Sequence, residues 1–402
     1  MTVEVRDVRA EDAFDVAAVH GWLQRESPEL AGQPLPQVRQ FAGGASNLTY
    51  LLAYGDRDLV LRRPPRGRKA ASAHDMGREV RVQERIRPVF PVVPRIYGFC
   101  QDESLIGSEF YVMERLHGVI LGRPLPEGLL LDRDDARTLG ERLFDTLADL
   151  HSVDVDAAGL ADLGRGPGYV RRQVSGWSSR FRDARTDDVP DGEVVMAWLD
   201  SRQPADVAAR LLHGDWKMDN LVLDMPVSPR VTGVLDWEMA TVGDPLMDLG
   251  SALAYWVGAA DDPAFRALAS QVSDLPGMPT REQVVARYLD RTGLPVDDWT
   301  FYEVFGLFRL AVIVQQIWAR YRAGSTTNPR FASFGSVAGV LVIASRASIH
   351  AAEQPAVADR DRPFPDLPPA GRAVGREEDE LRLADQVIRR DVADRRQHAA
   401  VL

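Results

Sequence analysis

Apolar positions change period near residue 120, and the change divides the chain into a strand-rich first part and a helix-rich remainder. Residues 12–26 place Phe14, Val16, Val19, Trp22 and Leu23 along one side of a short helix, and Pro28, Pro34 and Pro36 then break the chain. From 37 to 63 the pattern is that of a glycine-containing hairpin. Phe41 precedes a small-residue turn, Gly43 to Asn47; Leu48 to Ala53, a Gly55-Asp56 turn and Leu59-Val60-Leu61-Arg62 follow. A charged helix is predicted over 75–87, carrying Glu79, Val82 and Ile86. Val92, Val93 and Ile96 lead into a strand pair that ends at Phe110–Met113.

From Leu125 onward the period is helical. Residues 132–151 repeat Ala136, Leu139, Leu143, Leu147 and Leu150 at helix spacing. Further helices are predicted over 168–183, 193–201, 245–257, 281–292, 301–322 and about 331–350. Residues 211–223 and 230–237 interrupt them as short strands around a loop. The tail from Glu353 reads as a Pro-rich linker and a polar helix over 376–396.

Composition narrows the class. A length of 402 residues suggests two or three structural units, and 45% hydrophobic with 27% charged residues excludes wholesale disorder and collagen. A net charge of −11 supplies no basic footprint, so no nucleic-acid partner is expected. Cys100 is the single cysteine, which fits a reducing compartment, the cytoplasm. Met1 to Glu11 has no apolar core of a signal peptide. The runs Phe305–Ile317 and Val337–Ala344 are interrupted or closed by Arg309 and Arg346. Each falls short of the ~18 uncharged residues of a membrane span, so buried helices and no membrane partner are expected. Only Lys69 and Lys217 are lysines among 48 basic residues, which gives weight to a lysine inside a motif.

One such motif is Leu211-Leu212-His213-Gly214-Asp215-Trp216-Lys217-Met218-Asp219-Asn220-Leu221-Val222-Leu223. An apolar run, a His-x-Asp loop, an Asn five residues after the Asp and a second apolar run have the spacing of a kinase catalytic loop. Asp215 is suited to accept or orient the proton of an acceptor hydroxyl, and Asn220 to offer an amide oxygen to Mg2+. Sixteen residues further on, Val234-Leu235-Asp236-Trp237-Glu238 delivers Asp236 from a strand end as a second metal ligand. A lone His-Gly-Asp is ordinarily a structural turn; the two elements in register are far more specific. His213 is read as fixing the loop, and His151 as a helix-end residue.

These residues resemble the aminoglycoside-phosphotransferase type of small-molecule kinase, the group that also holds choline, homoserine and macrolide kinases. Within it the chain is similar to the kinase-like domains fused ahead of some acyl-CoA dehydrogenases. That narrower resemblance rests on Phe41–Tyr50, Leu59–Pro65, Gly168–Val174 with Trp177, and Phe305–Leu310 with Gln315. It covers about residues 35–345.

The resemblance implies an α+β, two-lobed protein-kinase-like fold, with ATP (GTP standing as the alternative nucleotide) and Mg2+ as cofactors. It divides the chain into an N-terminal helical extension (1–35), a β-rich N-lobe that binds nucleotide (36–116), a helical C-lobe with catalytic loop and acceptor site (117–352) and a charged tail (353–402). Gly43, Gly44, Ser46 and Asn47 would close over the phosphates. Arg62 would stand in for the phosphate-gripping lysine, paired with Glu79. Met113, Glu114 and Leu116 would form the hinge that offers backbone groups to adenine, and Asp248 would brace the catalytic loop.

An arginine at 62 keeps the charge but widens the fork. Lys217 stands where protein kinases carry a lysine that contacts the transferring phosphate. The chain has no Asp-Phe-Gly, and Gly243-Asp244-Pro245 soon after Asp236 leaves no room for an activation segment, so the acceptor is expected to be a small molecule.

The expected reaction is transfer of the ATP γ-phosphate to a small-molecule hydroxyl, on a hydroxyacyl-CoA-type or other hydroxylated metabolite. Alternatives are an aminoglycoside or choline-type acceptor and a nucleotide-binding, non-catalytic relative with a regulatory role. Arg62, Arg63, Arg66, Arg68 and Lys69 form a basic cluster, read either as a solvated loop or as an attractor of phosphorylated ligands. Tyr169, Trp177, Tyr255, Trp256 and Trp318 are read as core, with an acceptor pocket as the alternative.

Overall fold

Alternation of side chains on six antiparallel strands builds the first part of the computed structural model, which describes residues 5–41, 47–65, 75–225 and 228–353. The strands are β1 (Val5–Arg6), β2 (Gln37–Phe41), β3 (Leu48–Tyr54), β4 (Arg57–Arg63), β5 (Ile96–Cys100) and β6 (Phe110–Glu114), in the order β1-β2-β3-β4-β6-β5. The Gly55-Asp56 turn sets the register by pairing Tyr54 with Arg57 and Leu48 with Arg63.

Parity then assigns the faces. Tyr50, Leu52, Tyr54, Leu59, Leu61, Phe110 and Val112 form one core with Val19, Trp22 and Leu23 of α1 (Val16–Glu26). Val60, Tyr111 and Met113 form another with Met76 and Val80 of α2 (Met76–Ile86). Each helix starts on an aspartate cap: Asp15 accepts from the Ala18 N–H, and Asp75 from the Arg78 N–H.

Arg62 and Arg63 therefore go opposite ways. Arg63 is 1% exposed; it donates to the Asp12 carbonyl (2.5 Å) and the Tyr50 hydroxyl (2.9 Å), with its guanidinium over the Phe14 and Tyr50 rings. This takes Arg63 out of the expected basic cluster, on either reading of that cluster. Odd parity buries it, where it ties the N-terminal segment to the sheet. Arg66, Arg68 and Lys69 lie outside the described residues, as do the turn residues Gly43, Gly44 and Ser46 and the expected tail helix.

Two compact units emerge: Met1–Gly164 with Arg210–Val242, and Arg165–Ala209 with Gly243–Leu402. The division differs from the lobe boundaries drawn from the sequence because 117–164 and 210–242 pack with the sheet-bearing unit. There α3 (Arg133–His151) packs on β7 (Arg210–Leu212) and β9 (Arg230–Val234), and β9 pairs with β8 (Leu221–Asp224). Val119 exchanges backbone hydrogen bonds with Leu223, and the Val234 N–H donates to the Val92 carbonyl. β10 (Thr241–Gly243) leads out of this unit.

The second unit is helical: α4 (Tyr169–Asp183), α5 (Glu193–Ser201), α6 (Pro245–Leu253), α7 (Pro263–Arg266), α8 (Arg281–Thr292), α9 (Thr300–Arg322) and α10 (Phe334–Glu353). α9 is its centre, packed by α4, α5, α6 and α10. α9 and the segment Pro329–Glu353, which contains α10, are long and apolar enough, by length and composition, to cross a membrane, more so than their shorter apolar runs suggested. The packing of this unit buries 67% of the α9 window and 56% of the other.

Asp206 caps α4 by accepting from the N–H groups of Gly168, Tyr169 and Val170. Asp244 is fully buried; it caps α6 through the Leu246 N–H (2.9 Å) and holds the Val207 N–H (2.8 Å), while burial pushes its carboxyl up to about 6. Trp177 lies under Arg309, and Trp256 donates to the Pro279 carbonyl, so both belong to the core.

At the α6–α9 crossing, Gly250 faces Gly306 so closely that a Cβ on Gly306 would collide with the Gly250 carbonyl oxygen. Alanine is the better helix former, so propensity alone predicts that Gly306→Ala stabilises. The crossing predicts the reverse: a loss of about 1–3 kcal/mol in unfolding free energy, measured by urea denaturation.

Candidate active site

Every residue of the candidate site that the structure describes, apart from the expected brace Asp248, lies within the first unit. β4 presents Arg62 on the α2 face. Its Nη1 is 3.2 Å from Glu79 Oε2, its Nη2 is 2.5 Å from Asp236 Oδ1, and Glu238 Oε2 is 4.0 Å from the same Nη2. Tyr111, the cross-strand partner of Arg62, donates its hydroxyl to Glu79 Oε2 at 2.8 Å. Arg62 is 9% and Glu79 1% exposed, so these charges meet with little water to screen them.

Burial disfavours the charge on Arg62, but Tyr111, Glu79 and Asp236 outweigh it and hold the guanidinium well above its usual range. Glu79 is pushed up to about 7, chiefly by burial; Arg62 and Tyr111 oppose the shift, and Asp236 and Glu238 add to it. The helix that carries Glu79 is anchored to the Asp236 segment, because Arg78 donates to the Ala240 carbonyl.

Asp236 follows β9 with φ 68°, the one non-glycine residue in the left-handed region among the described residues. The kink starts a 3₁₀ turn, Trp237–Met239, that brings Glu238 back beside Arg62. Asn47, which heads β3, donates its Nδ2 to Glu238 Oε2 at 3.4 Å.

The loop after β7 is held from within. His213 is fully buried; its Nδ1 accepts from the Asp215 N–H (3.2 Å), which leaves Nε2 as the donor to the Leu235 carbonyl (2.9 Å). These bonds fix the loop, the role expected of His213. Gly214 has φ 81°, and a Cβ there would lie 2.7 Å from the Met239 carbonyl oxygen, so the middle residue of the motif has to be glycine.

Asn220 donates Nδ2 to the Asp215 carbonyl (2.9 Å) and to Asp215 Oδ2 (3.0 Å), and its own carbonyl accepts from the Leu235 N–H. Lys217 Nζ is 2.9 Å from Asp215 Oδ2 and 3.8 Å from Asp219 Oδ2. With the Asn220 amide nitrogen so engaged, its oxygen is the atom presented to a cation. Asn220 and Asp236 would supply hard oxygen ligands of the kind Mg2+ takes when phosphate and water oxygens complete its shell. The donor set fits the expected ion.

Met113, Glu114 and Leu116 are not drawn into these two clusters. Met113 pairs with Val60 in the sheet. The Glu114 N–H donates to the Arg95 carbonyl, and its carboxylate accepts from the Arg95 N–H and faces Arg87. Leu116 packs on Gly233, where a Cβ would collide with it. Asp248 is buried on α6 in the second unit. Sequence reading passed over Tyr111 and Glu238. Strand register would have found the first, and the two-residue spacing from Asp236 the second.

The profile of the phosphotransferase enzyme family matches residues 37–284, and the chain belongs to that family, whose members are ATP-dependent phosphotransferases of small-molecule hydroxyls. The chain is 36% identical to acyl-CoA dehydrogenase family member 10 of Mus musculus over 294 residues, 73% of this chain and 27% of that protein. A Ralstonia eutropha aminoglycoside-phosphotransferase-like protein of known crystal structure is 31% identical, with a TM-score of 0.70 over 82% of this chain and 96% of that one. APH(4)-Ia in ternary complex with AMP-PNP and hygromycin B is similar in fold, with a TM-score of 0.53 at 15% identity over 82% of this chain and 99% of that one. The fold is thus the α+β, protein-kinase-like one that the motifs implied. The chain spans less than half the length of the curated relatives it matches.

A carboxyl raised from 4.5 to about 7 favours the folded state while it holds its proton. The contribution of Glu79 is full below pH 4.5 and is lost as pH rises through about 7. Relative to Glu79→Gln, the wild-type unfolding free energy is expected to fall across that window, as read by urea denaturation at either end of it.

Proposed function

We propose that the chain transfers the γ-phosphate of ATP to the hydroxyl of a small molecule, with Mg2+ bound alongside the nucleotide. The observation that carries the reading is the double link from Asn220 Nδ2 to the carbonyl and carboxylate of Asp215. It fixes the hydroxyl-orienting group and a metal-binding oxygen in one rigid loop, and phosphoryl transfer depends on such positioning. Asp215 accepts the proton of the acceptor hydroxyl. Lys217, already on Asp215 Oδ2, neutralises charge on the transferring group. Asn220 and Asp236 would hold the metal, and Arg62 grips the phosphates. Mg2+, when bound there, would neutralise phosphate charge.

Local charge supports a metal requirement. Glu79, Asp215, Asp219, Asp236 and Glu238 face Arg62 and Lys217, five potential anions against two cations, a surplus of three when all are ionised. Nucleotide phosphates entering without divalent cations meet that surplus unscreened.

For the acceptor, the similarity to acyl-CoA dehydrogenase family members favours a hydroxylated acyl thioester or related metabolite. Asp215→Asn is expected to lower phosphoryl transfer by about 10²- to 10⁴-fold and leave nucleotide affinity within about twofold. ADP release measured with hydroxyacyl-CoA, aminoglycoside and choline pools, beside calorimetry with ATP, reads both quantities. Transfer by this variant at the wild-type rate would remove Asp215 from the mechanism. Silence of the wild type with every pool, despite magnesium-dependent ATP binding, would point to a regulatory nucleotide-binding role.

A further inference from the structure

Arg62 has more carboxylates than it needs. Glu79 and Asp236 already hold separate nitrogens of its guanidinium, yet Glu238 Oε2 stands 4.0 Å from the nitrogen that contacts Asp236. The same Glu238 oxygen accepts from Asn47 Nδ2 at 3.4 Å, and Asn47 is 4% exposed at the head of β3. β3 and β4 are register partners, Leu48 with Arg63 and Thr49 with Arg62. One carboxylate thus contacts the start of one strand and the charged head carried by the end of the next.

We infer that Glu238 is a positioning residue for the nucleotide: its carboxylate fixes the head of β3 and the Arg62 guanidinium relative to each other. When phosphates draw Arg62 away from Asp236 and free that carboxylate for Mg2+, Glu238 remains as the anion beside the guanidinium, and Asn47 stays tied to it. The inference rests on the nucleotide site of the proposed function and not on turnover.

The test is a double-mutant cycle on Asn47→Ala and Glu238→Ala, read as AMP-PNP affinity by calorimetry in excess Mg2+, with melting temperatures beside it. Each single variant is expected to weaken binding about fivefold, and the double variant little more than either single one. Glu238→Gln keeps an oxygen for Asn47 but loses the charge beside Arg62, so it should fall between wild type and Glu238→Ala. A double variant weakened by the product of the two single effects overturns the coupling. Unchanged affinity in Glu238→Ala overturns the role. A raised Mg2+ requirement for Glu238→Gln at saturating AMP-PNP overturns it too, because Glu238 is then a metal ligand. A chain that binds AMP-PNP as expected here but transfers no phosphate fails the proposed function and passes this test.

Discussion

The structure around the site depends on keeping one buried guanidinium charged. Arg62 sits almost out of water, where an isolated charge is untenable, and it persists because two carboxylates approach it along different N–H directions. A lysine with one nitrogen would hold both carboxylates only by crowding them; the arginine fork reaches α2 with one arm and the segment after β9 with the other. Those anions come from parts of the chain far apart in sequence, so the ion cluster forms only once the sheet, α2 and the 210–242 return have assembled. Its surroundings serve the same end: the Tyr111 hydroxyl on Glu79, the Arg78 link to Ala240 and the aspartate cap on α2.

A second constraint is carried by a residue with no chemistry of its own. Leu235 is gripped on both sides of its backbone: its carbonyl meets His213 Nε2, and its N–H donates to the Asn220 carbonyl. Asp236 is the next residue. The loop that holds Asp215 and Asn220 is therefore joined to Asp236 through hydrogen bonds to the Leu235 main chain, which do not depend on the identity of the leucine side chain. This join explains why the two motifs, sixteen residues apart, act as one unit.

Much of this was legible in the sequence because it rests on local periodicity. The long helices fall within a few residues of their expected spans, since apolar spacing and aspartate or threonine caps are local signals. The His-Gly-Asp loop and Asp236 were legible as spacing. What escaped was set by tertiary register. The pairing of Tyr111 with Glu79 follows from which strand lies beside which, the burial of Arg63 from what packs on its face of the sheet, and the return of Glu238 toward Arg62 from the left-handed turn at Asp236. α6 also stops at Leu253, short of the apolar run that suggested a longer helix, because the chain turns through Ala254 to Trp256. The compact units likewise depend on where 210–242 returns, which no local pattern encodes.

The neighbouring arginines of β4 carry a consequence for how this chain can diverge. Arg62 and Arg63 are chemically identical, and only strand parity makes one the partner of Glu79 and Asp236 and the other a buried tie to Asp12 and Tyr50. A point substitution affects one of them. Insertion or deletion of a single residue between Arg57 and Arg62, with the turn pairing kept, would exchange their faces and disturb both environments at once. Length changes in that short stretch should therefore survive only in twos, so conserved length here would report on Arg62 as faithfully as conserved identity.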